Sequence, residues 1–242
     1  DLPNSRLNSV LGFSGHFAAV NPARAPLDRV RADSAGEATY FTVPPTSLPP
    51  LPGGRPPNAL FVMSGLVAYS YLRQPAVRTL GHRRLVDHRI GIFPFDYEWQ
   101  RSLGYMATVA NESPLSFTFE YGVLNFTSRL QGHNNVNMNL FVAAPVGAMV
   151  VQNQVHNIMT GHFPIAVNYD EDVPIFDATN PQISFDRSTL SNLHTLPVVD
   201  GEIPRGAFVT VGYTALTFPC SNSPLPYTRA LALNVQFVLV HA

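Results

Sequence analysis

The sequence predicts an all-β chain, an antiparallel sandwich or jelly roll, and three observations predict it. From residue 115 onward apolar and polar residues alternate with a period of two, the signature of half-buried strands. The alternating runs are joined by loops dense in Pro, Asn, Gly and Ser, and runs with helical periodicity are few. Such spacing of short strands is that of two packed antiparallel sheets.

Along the chain, residues 1–58 read as an extended proline-rich N-terminal arm and residues 59–242 as one β domain. Seven prolines lie between Pro44 and Pro57; each fixes φ and removes a donor, so this stretch is extended and unsuited to a sheet interior. Asn58 offers a cap to the apolar run Ala59-Leu60-Phe61-Val62-Met63, which continues to Tyr69. The run fits a short buried helix or a strand and is assigned to a helix. Residues 85–94 alternate and read as a strand. Asp96 caps a second helix over 96–106, with Glu98 in its first turn suiting the helix dipole. Leu115, Phe117 and Phe119 alternate with polar residues, and the pattern resumes over 123–130. Gln131-Gly132-His133-Asn134-Asn135 is a turn before a strand over 136–142. Further strands are expected at 173–178, 182–187, 206–218 and 229–241, the last two longest and richest in β-branched and aromatic residues.

The chain has 242 residues, 45% of them hydrophobic and 22 of them proline, with 13% charged. The charged share is about half the usual quarter. All 15 basic residues are arginine, against 16 acids, giving a net charge of −1. High hydrophobicity with low charge excludes a disordered chain. No run approaches the roughly 20 apolar residues of a spanning helix, so no membrane-spanning segment is expected. The near-zero charge argues against a dedicated nucleic-acid-binding domain, and a surface so poor in charge points to one covered by partners. Cys220 is the only cysteine, which excludes an internal disulfide and a multi-cysteine zinc site. The start at Asp1, without methionine or signal pattern, suits a product cut from a precursor.

No spacing of a known catalytic motif occurs: no His-Glu-x-x-His, no Gly-x-Ser-x-Gly, no phosphate-cradling loop. His82, Arg83, Arg84, Asp87, His88 and Arg89 form the densest polar cluster. On a strand, His82, Arg84 and His88 share a face, either an anion-binding, pH-sensitive patch or, more plainly, a solvated face. Asp170, Glu171 and Asp172 are the calcium candidates, because adjacent loop carboxylates supply hard oxygen ligands; a solvated loop is the plainer reading. Asp96 and Glu98 are better explained as helix capping than as an acid–base pair. Asn111-Glu112-Ser113 and Asn125-Phe126-Thr127 fit the glycosylation pattern and receive no role. No catalytic residue and no cofactor is assigned, and no enzyme is expected.

Tyr71-Leu72-Arg73-Gln74-Pro75, Tyr121-Gly122-Val123-Leu124-Asn125-Phe126, Ala144-Pro145-Val146-Gly147 and Pro174-Ile175-Phe176-Asp177 follow the arm in that order, and this order resembles a coat protein of the picorna-like positive-strand RNA viruses. Tyr71-Leu72-Arg73-Gln74-Pro75 resembles the Arg-Pro phrase before an early strand in that family. Tyr121-Gly122-Val123-Leu124-Asn125-Phe126 is similar to the Arg-Gly-Ser-Leu-x-Phe opening strand D, with Tyr for the basic residue and Val for Ser. The strand over 136–142, followed by Ala144-Pro145-Val146-Gly147, resembles strand E ending in Pro-Pro-Gly. Pro174-Ile175-Phe176-Asp177 resembles the Val-Ile-Trp-Asp of strand F. The resemblance implies an eight-stranded jelly roll, one of three sibling capsid subunits in a pseudo T=3 icosahedral shell. It further implies a polyprotein cleavage product located in the virion, enclosing the RNA genome and meeting a host receptor. Interface cores are depleted in Lys, Glu and Asp, and proline lowers the entropy lost when an arm orders, in keeping with that implication. The alternative is a β-sandwich carbohydrate-binding module, a lectin or adhesin, stacking sugars on Trp99, Tyr97, Tyr169 or Tyr227. A third, a metal site of cupin type, would draw on His88, His133, His156 and His162, which lack His-x-His spacing.

Overall fold

Thirteen consecutive residues in the first third of the chain, Ala59 to Tyr71, contain only three side chains that are neither apolar nor aromatic, counting Gly65. They fold as the first half of a long strand, not as a helix. The computed structural model describes residues 19–44, 50–51, 54, 56–80, 83–129, 160–167, 171–180, 182–183, 192–220 and 228–242. Its strands are β1 Ala19–Val20, β2 Arg31–Ala35, β3 Ala38–Thr42, β4 Leu60–Leu80, β5 Arg83–Pro94, β6 Leu115–Ser116, β7 Phe119–Glu120, β8 Val123–Arg129, β9 Ile175–Asp177, β10 Phe208–Pro219 and β11 Arg229–Val240; one helix, α1, spans Glu98–Ala110. The class is all-β and mostly antiparallel. Hydrogen bonds link the strands in the order β2-β3-β10-β4-β5-β8-β7, and β11 pairs with β10, β6 and β9.

The helix expected over 59–69 is corrected to β4. Phe61 and Met63 enter one apolar cluster with Phe41, Ile90, Phe126, Tyr213 and Val235. Leu60 and Val62 enter the other, with Phe163, Phe176, Phe208 and Phe237. A strand covered on both faces shows no alternation, so periodicity cannot separate it from a buried helix. Its partner β10 is buried through nine of its first ten positions for the same reason.

The N-terminal segment is also corrected where it is described. Residues 19–44 are not an extended arm. β1 pairs in parallel with the start of β4, β2 and β3 form a hairpin, and β3 pairs with β10. The Val43 amide donates to Pro57 O at 2.9 Å and the Ala59 amide to Phe41 O at 2.8 Å. These two bonds close the proline-bearing stretch between β3 and β4 into a loop at its base. The second helix stands as expected, although Asp96 does not cap it. The chain enters α1 through Tyr97 at φ 68°, with no side-chain cap. Trp99 stacks on Phe119 with ring centroids 4.5 Å apart, while Glu98 pairs with Arg24 at 2.5 Å and the Tyr105 hydroxyl donates to Pro26 O at 3.2 Å. The helix thereby pins residues 24–26.

The strands expected at 85–94, 206–218 and 229–241 correspond to β5, β10 and β11, and the one at 173–178 to the shorter β9. Gln182 and Ile183 lie in a turn, their amides donating to Asn180, so no strand begins at 182. The strand over 136–142, the proline turn after it and the rest of 182–187 lie outside the described residues.

Close strand contact fixes Gly65, whereas Gly104 is replaceable. A Cβ on Gly65 would meet Phe93 O at 2.4 Å, a backbone atom that no rotamer change moves aside, whereas one on Gly104 in α1 would meet nothing within 4 Å. Gly65→Ala is expected to cost about 1–3 kcal/mol, and Gly104→Ala to gain about 0.5–1 kcal/mol. Urea denaturation of the two variants reads both; equal midpoints would contradict the packing of β4 on β5.

Candidate functional site

The phrase Tyr71-Leu72-Arg73-Gln74-Pro75 lies inside β4, where the ladder to β5 breaks between Tyr71 and Ala76. Pro75 has no amide to offer there, and three neighbouring amides are turned out of the ladder. Glu202, from the loop before β10, receives them. Its Oε1 accepts from the Arg73 amide at 2.6 Å and the Gln74 amide at 2.8 Å. Its Oε2 accepts from the Leu72 amide at 3.1 Å and the Ser70 hydroxyl at 2.5 Å. Burial pushes the Glu202 carboxyl upward, but these four hydrogen bonds outweigh it and hold the group below the usual carboxylate range. Arg73 extends the clasp: its Nη1 donates to Val173 O at 3.1 Å and its Nη2 to Val199 O at 2.6 Å. His88 contributes Nδ1, 2.8 Å from Leu72 O. The clasp ties β4 to the segments on either side of β9 and is structural.

The sequence-predicted groups separate around it. Asp87 and His88 are buried, so the plain reading of that cluster as a solvated face fails at these two positions: the irregular stretch of β4 and residues packed on it cover them. His82 lies outside the described residues, as do the side chains of Arg83 and Arg84. Of the calcium candidates, Asp170 lies outside, Glu171 is buried, and Asp172 Oδ2 sits 3.9 Å from Arg73 Nη1, a cation already at hand. Among the described residues no group of three or more His, Cys, Asp or Glu side chains is placed to hold a metal ion. His133, His156, Tyr169 and Tyr227 lie outside the described residues. Trp99 is committed to its stack with Phe119.

A cleft of about 420 Å³ opens elsewhere, between the β4–β5–β8 face and the ends of β10 and β11. Tyr69, Arg89, Asn125 and Thr127 form one wall, with Ser116 and Thr118 at its side; Phe218, Cys220 and Leu233 stand opposite. The wall is set by register: Arg89 faces Tyr71 across one ladder and Thr127 across the other, and Gly91 lies between Tyr69 and Asn125. A Cβ on Gly91 would meet the Tyr69 ring at 2.5 Å, so only glycine lets that ring lie over the strand. The ring then meets Arg89, whose guanidinium carbon is 5.4 Å from the Tyr69 centroid and 5.0 Å from that of Tyr71, within cation–π range. Arg89 belongs to the polar cluster legible in the sequence, whereas nothing in the sequence gives Asn125 or Cys220 a role. Tyr69, Thr118 and Thr127 carry no local signal, because the cleft assembles from segments far apart in sequence.

A third feature is an exposed apolar set at one end of the sheet. Leu66 and Phe93 are opposite one another on β4 and β5 and remain 43% and 38% exposed. The nearest side chain to Gly122 is Phe93, and its neighbour Tyr121 is 99% exposed. Tyr121 and Gly122 link β7 to β8 with φ of 53° and 80°, the two-residue hairpin that favours Asn-Gly or Gly-Gly. No protein-family model, no curated protein and no solved structure matches the chain.

Glu202 has a depressed folded-state pKa, so its contribution to stability is present above the unfolded value of 4.5 and lost as pH falls through the lower folded value. Unfolding of the wild type is expected to weaken across that acid window, and Glu202→Gln to flatten the dependence there. Glu202→Ala is expected to cost roughly 1–3 kcal/mol at neutral pH by leaving amides unmet. Thermal melts from pH 7 to pH 3 compare the three; an unchanged acid slope in Glu202→Gln would remove the clasp from the account.

Proposed function

We propose that the chain is a structural coat subunit of a picorna-like RNA virus, assembling with sibling subunits into an icosahedral shell and catalysing no reaction. The observation that carries this reading is Tyr121. A tyrosine held in the left-handed region costs roughly 1–2 kcal/mol where glycine or asparagine would be at ease, and this one is 99% exposed in the turn whose Gly122 lies against the half-exposed Phe93. Strain retained at an exposed aromatic is a reason to look for function, and an aromatic next to an apolar pair is the composition of an interface core. The shortage of charge and the use of arginine alone fit a surface spent largely in contact.

The jelly-roll arrangement belongs to the same proposal. It has to accommodate β10 pairing with β11 along nearly its whole length and with β4 and β3 on its other edge. The segment that resembles strand E lies outside the described residues. No helix among the described residues is long and apolar enough to cross a membrane. A carbohydrate-binding role has less support, since Trp99 is stacked within the protein.

Tyr121→Asn separates folding from assembly. The isolated variant is expected to be as stable as the wild type or more so, by up to about 1 kcal/mol, while losing association with sibling subunits in sedimentation velocity. A variant that assembles as well as the wild type would contradict the role given to Tyr121.

A further inference from the structure

The cleft beside Arg89 is not accounted for by assembly. Among the described residues lining it, Arg89 carries the only formal charge and no carboxylate is present. The guanidinium Nε is buried without a hydrogen-bond partner, and two tyrosine rings hold the group from the side. That buried Nε is out of a ligand's reach, but a guanidinium also presents outer donors as a fork that matches a carboxylate. The rest of the lining divides by chemistry. Ser116, Thr118, Asn125 and Thr127 offer hydroxyl and amide groups, whereas Phe117, Phe218 and Leu233 offer apolar surface. A cleft of about 420 Å³ lies toward the small end of the roughly 300–1,000 Å³ typical of small-molecule sites.

We propose that this cleft binds a small, partly polar carboxylic acid, its carboxylate on the Arg89 guanidinium and its body between the hydroxyl-bearing wall and the Phe117–Phe218 side. One guanidinium balances one carboxylate. A phosphate dianion would lack a second cation among the described residues lining the cleft. A long hydrocarbon chain would leave the hydroxyl and amide groups of the wall without partners. Gly91 is a positioning residue, because it lets the Tyr69 ring lie where it holds Arg89. The site is independent of the proposed coat role: it lies in the fold of a single chain, and its test requires no sibling subunit.

The test uses the full chain with 4-hydroxybenzoate, inorganic phosphate and decanoate as probes, followed by titration calorimetry and by the arginine Nε–H resonances in nuclear magnetic resonance. The expected result is saturable one-to-one binding of 4-hydroxybenzoate that shifts the Arg89 resonance. Arg89→Gln should weaken binding at least about ten-fold, and Arg31→Gln on the exposed edge strand should leave it unchanged. Equal binding by Arg89→Gln, preference for phosphate or decanoate, or no saturable binding of 4-hydroxybenzoate would each overturn the proposal. If Arg89→Gln does not fold, the wild-type Arg89 resonance decides: a shift that saturates with 4-hydroxybenzoate supports the site, and an unmoved resonance overturns it.

Discussion

The structure depends on one strand that has no free edge and almost no free face. β10 pairs with β11 on one side and with β4 and then β3 on the other. Burying a strand this fully leaves its polar groups to find partners inside the fold: the threonines do, while the Tyr213 hydroxyl is buried with no hydrogen-bond partner among the described residues. Thr210 meets Ser64 and His241, each at 2.8 Å. Thr214 donates to Ile165 O at 2.6 Å and accepts from Gln236 Nε2 at 3.1 Å. Thr217 accepts from Arg229 Nε at 3.1 Å. The threonines keep the β-branched shape that suits a strand while joining β10 to elements on both faces. At Gly212 the β10–β11 register shifts, and a Cβ there would meet the Phe237 ring at 2.3 Å. One glycine thus fits the two strands against the second apolar cluster.

From that centre the functional features follow by geometry. The Glu202 clasp lies in the loop leading into β10 and fixes where β4 leaves its ladder, and this sets the register with which β5 presents Arg89. The cleft sits at the opposite end of β10, where Phe218 and Cys220 run out of the sheet. The exposed set around Tyr121 lies at the turn into β8, the strand beside β5. The fold thus combines a firm centre with a solvent-facing, left-handed turn at its rim.

Legibility in the sequence followed burial symmetry. β10 and β11 are legible because long apolar and β-branched runs between turn formers have few other solutions, and β5 because its residues alternate. β4 was misread because two apolar clusters cover it, Phe61 toward one and Leu60 toward the other, which erases the period of two. The β2–β3 hairpin was hidden by short strands with exposed charges such as Arg31 and Asp33, adjoining a proline-rich stretch that suggested an arm. Asp96 looked like a cap, but the chain turns into α1 through a left-handed Tyr97, a conformation that composition does not announce. Glu202 was invisible as a lone loop acid, since its four donors lie about 130 residues away in sequence. Arg89 was legible as part of a basic cluster, whereas the partners that turn it into a cleft were not.

The coat-subunit account is tested most directly by isolating the chain from its native source without denaturation and imaging what it is part of by electron cryomicroscopy. The account predicts closed icosahedral particles in which this chain co-purifies with two sibling proteins of similar size, with Tyr121 buried against a neighbour. A stable monomer from the native source, or particles in which Tyr121 faces solvent, would contradict it.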